Sequence, residues 1–179
     1  MKYDQHRRRW QNCQRCELAS QRRKIVLARG TIPCNLLFIG EAPGASENLK
    51  GRPFHGPAGK LFDSILESTI PEGVTYALTN LVACFPRDSK AVGVNEPPRV
   101  AIESCQSRLQ EITRMCLPTR IICVGKLATT WCPKLLKGVY DGPYHHVDHP
   151  ARIIRMDVTQ KPLAIKMCRL TIADACLQF

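Results

Sequence analysis

The chain has 179 residues, 44% of them hydrophobic and 23% charged. That suits one folded domain with a substantial core and argues against a fibrous or disordered chain. A formal net charge of +11 favours a polyanionic partner, of which nucleic acid is the commonest.

Ten cysteines raise the question of compartment. The segment from Met1 to Arg9 is basic but has no apolar run behind it, so it does not read as a signal peptide. No stretch approaches the roughly 18 apolar residues of a membrane span. The cysteines are therefore expected to be reduced thiols or metal ligands in a cytoplasmic protein.

In chain order, the first 30 residues carry nine Lys/Arg against two acids and include Cys13-Gln14-Arg15-Cys16, expected at the start of a short helix. Asn35 to Ile39 is a short apolar run ending in Gly40, which reads as a buried strand. A Gly/Pro-rich loop is expected from Gly40 to Gly59. A helix then begins near Ala58 and places Leu61, Phe62, Ile65 and Leu66 on one face. Thr75 to Thr79 reads as a second strand ending at Asn80. A long loop follows from Cys84 to Pro98, then a helix from Arg99 to Met115. Arg120 to Val124 is a third buried strand, and Gly125 opens a further helix. A short strand near Tyr144 to Val147 leads to His149-Pro150, and a last helix runs from about Gln160 to Cys176.

Strands alternating with helices predict an α/β fold: three layers, α/β/α, around a central, mainly parallel, four-stranded sheet. Ligands of such sheets bind beyond the carboxyl ends of the strands. Gly40 to Gly44, the chain after Asn80, and His149-Pro150 all fall at such ends, far apart in sequence yet brought together by this topology.

Two constellations carry chemistry. Cys13 and Cys16 have metal-ligand spacing, and Cys84 and Cys105 flank the long loop; four thiolates hold either a 4Fe–4S cluster or a zinc ion. The remaining six cysteines lie mostly in apolar surroundings and read as small core residues. The second constellation is Gly40-Glu41-Ala42-Pro43-Gly44 followed by Gly51-Arg52-Pro53-Phe54-His55-Gly56-Pro57-Ala58-Gly59.

That string resembles the active-site loop of the family-4, iron–sulfur uracil-DNA glycosylases. The resemblance continues through Thr79-Asn80-Leu81-Val82-Ala83-Cys84, Cys105-Gln106-Ser107-Arg108-Leu109, Ile122-Cys123-Val124-Gly125 and His149-Pro150-Ala151. The blocks come in the family's order over about residues 10 to 155. The resemblance implies a monofunctional glycosylase that hydrolyses the N-glycosidic bond of deoxyuridine in DNA, acting as a monomer on single- or double-stranded substrate. It implies a 4Fe–4S cluster on Cys13, Cys16, Cys84 and Cys105. No lysine stands in a matched catalytic position, so no Schiff-base lyase step is expected.

The residue types suit that chemistry. A glycosylase must flip its target nucleotide out of the stack into a snug pocket. By resemblance, Phe54 stacks on the flipped base and the Ala42 backbone contacts it. The Asn80 amide accepts from uracil N3–H and donates to O4. His149 faces the charge that gathers on uracil O2 as the bond breaks. Pro150 restricts His149 to extended backbone. Glu47 stands beside C5 and excludes thymine. Glu41 positions water or holds the loop, and Ala42 stands where other glycosylases carry a water-activating Asp.

After His149, the resemblance implies a segment pressed into the duplex. Arg152 and Arg155 would meet phosphates, and Ile153 or Ile154 would be the wedge that fills the gap left by the base.

Three features depart from the family pattern: His55 in place of a small apolar residue, a longer Cys84–Cys105 stretch, and a shorter Gly125–His149 segment. They bear on base specificity and groove shape. The alternatives are a same-fold glycosylase for another damaged or modified base, and a DNA-binding relative without catalysis.

Overall fold

The computed structural model describes residues 2–87 and 96–177. Much of the expected loop after Cys84 thus lies outside the described residues. Chain order is α1 (Tyr3–Trp10), α2 (Leu18–Gln21), β1 (Ala28–Gly30), β2 (Leu36–Gly40), α3 (Ala45–Lys50), α4 (Pro57–Glu67), β3 (Tyr76–Asn80), α5 (Arg99–Ser104), α6 (Gln106–Cys116), β4 (Arg120–Val124), α7 (Lys126–Leu135), β5 (Tyr144–Val147), α8 (Pro150–Arg155) and α9 (Lys161–Cys176).

The sheet has five strands in the order β1-β3-β2-β4-β5, one more than expected. β2, β3, β4 and β5 are parallel; the added strand, β1, closes the β3 edge antiparallel, with Ala28 opposite Thr79. β2 is central, and all five of its residues are buried, as a strand covered on both faces requires. Its side chains alternate between the two layers. Leu37 and Ile39 join Leu109, Ile112 and Ala128 from α6 and α7. Leu36 and Phe38 join Phe62, Ile153 and Ile172 from α4, α8 and α9. The three layers follow from that alternation.

Other local expectations shift. Cys13 and Cys16 lie in the turn between α1 and α2, not at a helix start. The Gly40–Gly59 stretch contains α3. The helix read from Arg99 to Met115 is two, α5 and α6, meeting at Cys105.

Candidate active site

β2 and β3 end side by side, with Gly40 opposite Asn80, and β5 delivers the chain to His149. Around these ends lies a cleft of about 770 Å³, within the usual range of about 300–1,000 Å³ for small-molecule sites. Glu41, Ala42, Glu47, Phe54, Asn80, His149, Arg152 and Arg155 all line it. Segments far apart in sequence thus converge as the sheet rule requires.

Asn80 is 3% exposed and held against two neighbours. A Cβ at Gly40 would come within 2.4 Å of Asn80 Oδ1 and 2.7 Å of the Phe54 ring. Only glycine lets the strand end approach both groups. Phe54 has φ 51°, a left-handed conformation for a bulky residue. Its ring stacks on Phe62 at 5.4 Å and faces His149 at 6.5 Å. Gly59 makes that loop possible, because a Cβ there would stand 2.1 Å from the carbonyl carbon of Phe54.

Glu47 Oε1 accepts from the backbone N–H groups of His55 and Gly56, both at 2.8 Å. The carboxylate therefore ties α3 to the Phe54 loop as well as lining the cleft. Glu41 accepts from the N–H of Leu127 at 3.2 Å, in the first turn of α7. Burial raises the Glu41 pKa, partly offset by that bond. Gly125, at φ 96°, leaves room for the Glu41 carboxylate.

His149 is the N-cap of α8, with extended backbone as expected. Its Nδ1 accepts from the N–H of Ala151 at 3.2 Å. Burial first, and then Arg155, push its pKa down to about 4, against an opposing pull from Glu47. The ring is neutral at physiological pH, and with Nδ1 accepting, its proton resides on Nε2.

α8 corrects one assignment. Ile153 is 1% exposed and packs in the core with α4 and α9; Ile154 is 39% exposed. The helical turn sends adjacent residues to different faces, so Ile154 and not Ile153 reaches the surface. Arg152 pairs with Asp148 at 2.7 Å on the surface. Residues missed from the sequence are Phe85, Lys126, His146 and Asp148, which also line the cleft. Lys126 opens α7 just after the buried β4, and that position was the readable signal.

The four cysteines also converge. Cys13, Cys16, Cys84 and Cys105 line one small cavity with Trp10, Arg22 and Arg108. Among the described residues, no group of three or more His, Cys, Asp or Glu stands close enough to hold one common metal ion. Arg22 Nη1 donates to the Cys84 sulfur at 3.4 Å.

The fold and cleft define a class: an α/β protein whose strand ends converge on one polar cleft. The chain belongs to the uracil DNA glycosylase superfamily, whose sequence profile matches residues 27–169. It is similar to the type-4 uracil-DNA glycosylase of Archaeoglobus fulgidus, 32% identical over 117 residues, covering 65% of this chain and 56% of that protein. Its similarity to the type-4 uracil-DNA glycosylase of Pyrobaculum aerophilum is 33% over 117 residues, with coverage of 65% and 57%. The chain thus spans a little over half the length of these curated relatives. Its fold resembles the crystal structure of Pedobacter heparinus SMUG2, with a TM-score of 0.58, 13% identity, and coverage of 79% of this chain and 75% of that one. Among the described residues, no helix is long and apolar enough to cross a membrane.

Proposed function

We propose that this protein excises uracil from DNA by hydrolysing the N-glycosidic bond, leaving free uracil and an abasic site. The observation that carries the reading is the convergence of Asn80, Phe54 and a neutral His149 on one cleft. A flipped uracil stacks on Phe54 and is read by the Asn80 amide. As the bond to the sugar lengthens, negative charge develops on the base. The Nε2–H of His149 donates to O2 and stabilises that charge in a partly dry site, where one such donor is worth about 3–4 kcal/mol. Glu41 lines the same cleft and ties its loop to α7, and Glu47 beside C5 of the base excludes thymine. Glu47 also holds the loop that carries Phe54. Lys126, Arg152 and Arg155 at the rim suit the flanking phosphates. One chain supplies every site residue, so a monomer suffices.

We also assign Cys13, Cys16, Cys84 and Cys105 as ligands of a 4Fe–4S cluster. The four thiols share one cavity, and an all-sulfur donor set is the one that iron–sulfur clusters use. The donor chemistry also fits: Arg108 is a fully buried cation beside these thiols, and thiolates bound to iron supply an opposing charge. The cluster would tie the basic N-terminal segment to the chain after Asn80.

The test is incubation of anaerobically purified protein with uracil-containing oligonucleotides, followed by alkali. Strand scission at uracil supports the assignment, and intact strands overturn it. A panel of other modified bases run in parallel identifies a different base if uracil fails. Iron analysis, with absorption near roughly 400 nm, tests the cluster; one zinc and no iron would overturn that assignment.

A further inference from the structure

Among the described residues, Arg108 heads the largest fully buried side chains, at 1% exposure. It lies in α6, three residues after Cys105. Its Nη1 donates to the Thr79 hydroxyl at 2.9 Å, and Nη2 donates to the carbonyls of Asn80 at 2.5 Å and Leu81 at 2.8 Å. The same side chain lines the four-cysteine cavity, beside Cys105 and Cys84. Its Nε is buried and has no hydrogen-bond partner among the described residues.

The charge is what needs explaining. A guanidinium in a low-dielectric interior is costly unless an anion answers it. Carbonyls and a hydroxyl satisfy its donors but leave its charge unmatched. Among the described residues, its ionisable company is Cys105, Cys84 and Tyr3, and no carboxylate pairs with it. Neutral thiols cannot balance a cation; thiolates bound to iron carry net negative charge.

We propose that Arg108 is a positioning residue that joins the four-cysteine site to the base-reading end of β3. Metal-bound thiolates balance its charge, and its fork holds the two peptides that flank Leu81, directly after the Asn80 that carries the base-reading amide. This rests on the assignment of an iron–sulfur cluster to the four cysteines. The cluster side of the molecule thereby sets the geometry of base recognition, although no thiol enters the cleft.

Two variants of the iron-loaded protein test it, R108Q and R108K. The readouts are the cluster's midpoint potential by film voltammetry, the maximal single-turnover rate on a uracil oligonucleotide, and affinity for that DNA. R108Q removes a positive charge beside the cluster, so its potential should move to a more negative value. Its maximal rate should fall tenfold or more, with DNA affinity within about twofold. R108K keeps the charge but loses the planar fork. Its potential should stay near that of the parent while its rate falls comparably. A residue that only fills space would lower both rates and leave both potentials unmoved, which overturns the proposal. R108K at the full parental rate overturns it also, and decides the matter should R108Q fail to fold. Parent protein without iron overturns the cluster assignment together with this inference, whereas iron-loaded protein with unmoved potentials overturns the inference alone.

Discussion

The ring of His149 accepts a hydrogen bond through Nδ1 from the backbone N–H of Ala151, two residues along the chain. This contact caps α8 and fixes the ring's tautomer together. Protonating Nδ1 would set two donors against each other, so the cap and the neutral ring are one arrangement.

A pH dependence follows. An unfolded histidine titrates near 6.5, whereas burial and Arg155 hold His149 down to about 4. Above pH 6.5 neither state is protonated at this ring. Between 6.5 and 4 the unfolded chain binds a proton that the native state refuses, so stability falls as pH falls. Below 4 the native ring is protonated too and the loss levels off, at a total on the order of 3 kcal/mol. Denaturant unfolding of the parent and H149Q at pH 7.5 and pH 4.5 checks this. The parent should lose more stability than the variant on acidification; equal losses would refute the depressed pKa.

If Asn80 and His149 act on the base as proposed, removing either should separate rate from binding. His149→Ala and Asn80→Ala should each lower the single-turnover rate on uracil DNA by about two orders of magnitude. DNA affinity should change little, because phosphate contacts dominate it. Rapid-quench assays with saturating enzyme, alongside fluorescence anisotropy, measure both. Near-parental rates in both variants would remove these residues from the mechanism.

Gly40 tests the packing behind that site. The Cβ of Gly40→Ala would meet Asn80 Oδ1 at 2.4 Å and the Phe54 ring at 2.7 Å, so both side chains must move. Shifts of this size in a catalytic geometry cost about a hundredfold in rate. A thermal melt and a single-turnover assay should show the rate falling far more than the stability. An unimpaired G40A would mean that Asn80 and Phe54 are freer than their contacts indicate.

How much of this was legible in the sequence depends on where each signal lies. β2 could be read because Leu36 to Ile39 is an unbroken apolar run stopped by Gly40. The convergence of Asn80 and His149 followed from strand ends alone. β1 could not be read: Ala28-Arg29-Gly30 has no periodicity, and it is a strand only because β3 offers an edge. α3 was hidden by the glycines and prolines around it. Its six residues are held by Glu47, whose carboxylate reaches forward to His55 and Gly56, a contact no local pattern announces. Arg108 was the deepest omission. A charged residue in an amphipathic helix reads as solvated surface, and only the tertiary structure reveals that it faces β3 and the thiols.

The last prediction turns on two adjacent isoleucines. Ile153 is buried among α4 and α9, whereas Ile154, one position on, is 39% exposed on a helix that borders the cleft. An apolar side chain beside the pocket is useful only where a base stack must be opened, since it fills the gap left by the extruded base and offsets part of an unstacking cost of a few kcal/mol. Ile154→Ala should therefore slow excision from paired duplex several-fold while leaving single-stranded substrate nearly unaffected. Ile153→Ala removes core volume instead. It should cost about 2–5 kcal/mol of stability and, in the folded fraction, slow both substrates alike. Parallel single-turnover assays on matched single- and double-stranded oligonucleotides, with a denaturant melt of each variant, distinguish the two. If Ile154→Ala slows both substrates equally, its side chain is not a wedge, and DNA opening falls to the cationic rim formed by Lys126, Arg152 and Arg155.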